Sequence, residues 1–157
     1  MTAALAAQLH AYESRAADAA RLRYAFCLDC ARRVRHLLES DAVLRCLDTL
    51  AHFVDGRCDT STLDEAAVAA AALANGHPGS RSIDGVGHAA VSASYAVANA
   101  LAGRAIHAAE YAAYAMVYAS GGYGAVVDRE SFEPEREWQL QRLHELAARL
   151  TLEADAA

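Results

Sequence analysis

At 157 residues, with 55% hydrophobic residues and a formal charge of −6, the chain is long enough to bury one core without metal or disulfide staples. All 14 basic residues are Arg, and the acidic balance argues against nucleic acid, which calls for a basic patch, while suiting a basic protein partner. No apolar run reaches the roughly 18 residues of a membrane span, and His10, Glu13 and Arg15 interrupt anything like a signal peptide, so no membrane association and a cytoplasmic location are expected.

Helical periodicity runs through the whole chain. Thr2 is placed to cap a first helix reaching about Asp18, followed by, or continuous with, a second over "ADAARLRYAFCLDCARRVRHLLES". In that segment Leu22, Phe26, Cys30, Val34 and Leu37 recur in steps of three and four, while Arg32, Arg33 and Arg35 mostly fall on the other side. Ser40 or Asp41 caps a third helix, with Val43, Leu44, Leu47, Leu50 and Val54 as its apolar stripe and Asp55-Gly56 as its stop. A fourth follows, capped by Thr60, Ser61 or Thr62, with Asp64 and Glu65 in the first turn and a left-handed stop at Asn75-Gly76. "HPGSRSIDGVG" is the clearest loop. A fifth helix begins at His88 and stops at Gly103, and a sixth runs from about Arg104 to Ala119 before "SGGYG" ends it. Ser131 or Glu133 starts the last helix, with Pro134 in its first turn and Trp138, Leu143, Leu146 and Leu150 as anchors. "GAVVD" at 124–128 is the only short strand candidate. The expectation is a single all-α domain of six or seven packed helices, with Ala, about a quarter of the chain, allowing close helix packing.

The sixth helix raises the main question. "HAAEYAAYAMVYASGGYG" places His107, Tyr111, Tyr114 and Tyr118 along one stripe among alanines. Three readings are open. The rings supply core volume, with hydroxyls at the edge or meeting His88, His107 or Asn99; or they line a pocket between the fifth and sixth helices; or they form an exposed recognition face. Volume favours the first, because the surrounding alanines fill so little space.

Chemistry-bearing clusters are sparse. Cys27 and Cys30 form a CxxC, but Cys46 and Cys58 do not make a second knuckle, and the CxxC lies inside a helical pattern. Packed, reduced thiols are the expected state, with a zinc site or a redox dithiol as alternatives. His88, His107 and Glu110 are the only set suggesting a metal-dependent hydrolase, although the Glu-x-x-His order of carboxylate-bridged sites is reversed. P-loop, dinucleotide and nucleophile-elbow motifs are absent. No cofactor is expected.

Three segments, "CLDCARRVRHLLES", "HAAVSASYAVANALAGRAIHAAEYAAYAMVYAS" and "EREWQLQRLHEL", together resemble immunity protein family five: small all-α proteins encoded beside bacterial polymorphic toxins. The resemblance runs from about Tyr24 to Leu146 and rests mainly on "CARRV" at Cys30 to Val34 and "EWQLQRL" at Glu137 to Leu143. It implies a non-catalytic protein that binds and neutralises a cognate toxin. The glycine-rich "NGHPGSRSIDGVG" departs from the smoother helical sequence of that family. Under this reading the contact regions are the loops 76–87 and 120–133 and the sixth helix, with Tyr111, Tyr114, Tyr118 and Tyr123 as anchors and Arg81, Asp84 and Arg104 as a polar rim. A self-associating helical module is the remaining alternative.

Overall fold

Side-chain caps start three of the helices, the second to the fourth in chain order, in this computed structural model, which describes residues 2–157. Helix α1 (Thr2–Arg15) already includes Thr2, so its cap position lies outside the described residues. It is not continuous with α2 (Ala19–Arg33): Asp18 adopts an extended backbone and its carboxylate accepts the Arg21 amide, which starts a new helix. α2 buries Leu22, Phe26, Cys30 and the following Val34, as the periodicity predicts. It ends earlier than expected, at Arg33, and Arg35–Leu37 tighten into a 3-10 turn. Ser40 caps α3 (Asp41–Val54), which buries Val43, Cys46, Leu47 and Leu50.

Two expectations about α4 (Thr60–Asn75) are corrected. Asp59 is the cap, its carboxylate accepting both the amide and the hydroxyl of Thr62. These bonds favour the ionised form and hold the Asp59 carboxyl below its ordinary pKa. A charged cap one residue earlier moves Asp64 and Glu65 out of the first turn. Nor is Gly76 left-handed; its φ is −87° and its amide returns to the Ala72 carbonyl. α5 (His88–Leu101) does end on a left-handed glycine, Gly103 at φ 70°.

α6 (Ala105–Val127) runs beyond the expected stop at Ala119. Its helical path breaks only at Gly122 (φ 61°, ψ −148°) and then resumes for a last turn, so the strand candidate at 124–128 is largely helical. Arg129–Phe132 form a second 3-10 turn, capped by Asp128, and α7 (Glu133–Ala156) follows with Pro134 in its first turn. The described residues comprise seven α-helices and no strand, the all-α class expected.

α2 occupies the centre, packing against α1, α3, α5, α6 and α7. Phe26, Leu22, Leu50, Leu63, Val97, Leu101, Leu143 and Leu146 fill the core. The most extensive helix pair is α5 with α6, and its buried residues are mostly alanines: Ala93, Ala96 and Ala100 on α5, and Ala105, Ala108, Ala109, Ala112 and Ala115 on α6. α7 is tied to α2 at two points. Arg33 makes paired bonds of 2.6 and 2.9 Å to the buried Glu135 while its guanidinium lies 4.3 Å over the Trp138 ring, and Arg142 bonds Asp29 at 2.7 Å. Trp138 thus packs on the core with one face covered by Arg33.

Candidate functional site

The alanines of α6 face inward, so the tyrosines interspersed with them face outward. Tyr111 is 36% exposed, Tyr114 42% and Tyr123 47%, with Tyr118 half-buried. The expectation that these rings fill the core is therefore corrected: Ala packing brings the helix backbones close enough that no large side chain is needed between them. The rings pack on one another instead. Tyr114 meets Phe132 edge-on at 5.0 Å and Tyr118 at 6.3 Å, and Tyr118 in turn meets Tyr123 at 6.2 Å. His88, at the start of α5, closes the row, 5.3 Å from Tyr118 and 5.5 Å from Tyr123, and its Nε2 shares a 2.7 Å hydrogen bond with the Tyr123 hydroxyl. Tyr111 stacks separately on Tyr95, whose hydroxyl donates to the Asn75 side chain. The result is an aromatic ridge with its edges in water and its bases on an alanine floor.

The loop at 76–87 is fastened to one end of this ridge. The Tyr123 amide, released from the helical pattern at Gly122, donates to the Asp84 carbonyl at 2.7 Å. Only glycine permits this approach: a Cβ on Gly122 would stand 2.0 Å from that carbonyl oxygen. Gly85, at φ 84°, lies against the Tyr123 ring, where a Cβ would come within 2.8 Å. Within the loop, the Ser82 hydroxyl accepts the Gly87 amide and shares a bond with Ser80, and the Asp84 carboxylate accepts the Val86 amide. The segment is thus fixed in one shape although Ile83, near its tip, is 98% exposed.

Of the proposed rim residues, Arg81 and Asp84 flank Ile83 on this loop, and all three are exposed. Arg104 stands apart, beside a shallow 400 Å³ cleft that also contains Asn75, Asn99, His107 and Tyr111. Among the described residues none of Arg81, Asp84 and Arg104 takes part in an ion pair. A larger groove of about 660 Å³ adjoins the other end of the ridge, where Tyr114, Val126, Val127 and Phe132 meet α1 and α7.

The alternative metal ligands are differently engaged. His88 belongs to the aromatic row, whereas His107 lies 3.5 Å from Glu110 on the surface of α6. Among the described residues no group of three or more His, Cys, Asp or Glu side chains is gathered as a metal would require. Cys27, Cys30 and Cys46 are buried free thiols and Cys58 is half-buried. Burial pushes the Cys27 thiol up to about 12 and raises that of Cys30 well above its ordinary value, the opposite of a reactive dithiol.

Several residues of this surface escaped sequence reasoning by name, although the loops carrying them did not. Ile83, Val86, Val127, Tyr95 and Phe132 all contribute. Ile83 and Val86 were in principle visible, as isolated aliphatic residues in an otherwise polar, glycine-rich loop. Nine large hydrophobic side chains are exposed among the described residues, and six of them, Ile83, Val86, Tyr111, Tyr114, Tyr123 and Val127, belong to this loop and to α6. Such a concentration is a feature of interaction surfaces rather than of scattered surface apolar residues. In comparison with known proteins, the family described as "Imm-5 like putative immunity protein" matches residues 8–146. No curated protein and no solved structure matches the chain.

Proposed function

The chain belongs to the Imm-5 like immunity protein family, and from that premise we propose that it binds a cognate protein toxin and neutralises it by occlusion, without chemistry of its own. The observation that carries the reading is the aromatic ridge of α6 joined to the fastened loop at 76–87. Tyr side chains offer large contact area with few rotatable bonds, and they are among the commonest energetic anchors of protein interfaces. Here Tyr111, Tyr114, Tyr118 and Tyr123 are already ordered by ring contacts, so docking immobilises little that is not already fixed. Arg81 and Asp84, in no ion pair among the described residues, supply charge beside the apolar loop residues, as the polar rim of an interface requires, and Arg104 adds a cation at the separate cleft beside Tyr111. The net charge of −6 favours a basic toxin through faster, more selective encounter.

The test is co-expression. A candidate toxin from the chain's own genome is expressed alone in a cell lacking the chain, and then together with it. Growth arrest with the toxin alone, relieved by the chain and accompanied by a stoichiometric complex on gel filtration, supports the reading. Persistent arrest despite soluble chain, or a chain that instead forms a defined oligomer through the α6 face and ignores the toxin, overturns it in favour of self-association.

A further inference from the structure

We propose that Ile83 is the anchor of the partner contact, a preformed aliphatic peg that enters an apolar socket on the toxin; this deepens the immunity reading and rests on it. Ile83 is 98% exposed, the most exposed of the large hydrophobic side chains among the described residues. Nearly all of its apolar area is therefore available for burial against a partner. The loop that carries it is not slack. Its serines and Asp84 satisfy the backbone amides of Ser82, Val86 and Gly87, and the Tyr123 amide grips the Asp84 carbonyl. Ordering has been completed before any encounter, which is how a recognition element gains affinity without added contacts.

The surroundings define the socket. Arg81 and Asp84 flank the peg with no ion pair among the described residues. A complementary socket therefore has an apolar floor with a carboxylate on the side meeting Arg81 and a cation on the side meeting Asp84. The peg is also continuous with the aromatic ridge, since Gly85 lies flat against the Tyr123 ring, so both enter one partner surface together.

The experiment measures, by calorimetry, the affinity of the toxin domain identified by that co-expression test, once purified, for the wild-type chain and for I83A, I83E and V68A. Val68, on α4, is 72% exposed and serves as an apolar surface control. The expected result is a Kd raised on the order of tenfold or more by I83A and on the order of a hundredfold or more by I83E, which would bury an unpaired carboxylate. V68A binds as wild type, and all three variants melt as wild type because the changed atoms are exposed. A fourth variant, G122A, keeps Ile83 but unfastens its loop, and it also weakens binding. Wild-type affinity in I83A and I83E, with Y114A or Y118A still weakening the complex, overturns the anchor while leaving the immunity reading in place. A wild-type chain with no affinity for the toxin overturns both.

Discussion

Replacing Gly122 by alanine perturbs a single methyl group at the junction of α6 and the loop. Gly122 has φ 61° and ψ −148°, a region of backbone space that is nearly exclusive to glycine and costs other residues about 1–3 kcal/mol. The added Cβ would stand 2.0 Å from the Asp84 carbonyl oxygen, so the contact cannot persist and the Tyr123 amide loses its 2.7 Å partner. That hydrogen bond contributes a further 0.5–1.5 kcal/mol or so. The sum is about 1.5–4.5 kcal/mol, which for a chain of this size corresponds to roughly 3–18 °C in Tm if the whole fold bears it. The alternative is local release: the loop detaches, Tm falls less, and the Tyr123 amide exchanges faster. Thermal melting and amide hydrogen exchange together distinguish the two. Gly124 is the control, because a Cβ there meets nothing within 4 Å and its φ is not positive; G124A should be neutral or stabilise by up to about 1 kcal/mol. The reasoning is refuted if G122A melts within about a degree of wild type and the Tyr123 amide keeps its protection.

Arg33→Ala removes both bonds to Glu135 and leaves that carboxylate buried and unpaired, an error that typically costs about 3–5 kcal/mol; urea denaturation should show it, and a loss below about 1 kcal/mol would mean the pair behaves like a surface ion pair. With a thiol reagent at mildly alkaline pH, Cys58 should react first, while Cys27, Cys30 and Cys46 wait for unfolding. Alkaline stability should also decline. The unfolded Cys27 loses its proton near its ordinary value of 9.0 whereas the folded one holds it to about 12, so across that window the unfolded state binds fewer protons and is favoured as pH rises. Cys27→Ala should flatten that part of the pH–stability curve, and an unchanged slope would contradict it. Tyr114→Ala and Tyr118→Ala should each raise the Kd for the toxin by on the order of tenfold, read by calorimetry and by loss of protection in co-expression; full protection by the double variant would remove the ridge from the interface.

Much of the fold was legible because its signals are local. The steps from Leu22 to Val34 and from Val43 to Leu50 mark buried stripes, and Ser40 and Pro134 sit at helix starts as their chemistry predicts. The α6 ridge was harder to read. When nearly every neighbour is alanine, a stripe of tyrosines is the apolar stripe by periodicity alone, and the true inward face has no larger residue to announce it. What decided the orientation was how near α5 could come, a property of two helices together. The break at Gly122 was legible as glycine but not as continuation, because the partner for the freed Tyr123 amide is Asp84, 39 positions earlier in the chain. Asp59 was passed over as a cap for a simpler reason, since four candidate capping residues stand in succession and sequence does not rank them.

The alanine seam between α5 and α6 separates two duties that most helices combine. Its side chains hold the helices together, and the tyrosines on the outer side pack on one another, on His88, Tyr95 and Phe132, and on the fastened loop. A lineage under pressure from a changing adversary can thus rewrite the outer residues one at a time while the scaffold assembles as before. The same geometry makes the seam intolerant in the other direction: an alanine enlarged there would spread the helices and tilt every ring on the ridge at once. Variability in one direction and rigidity in the other are both consequences of using the smallest chiral side chain where two helices meet.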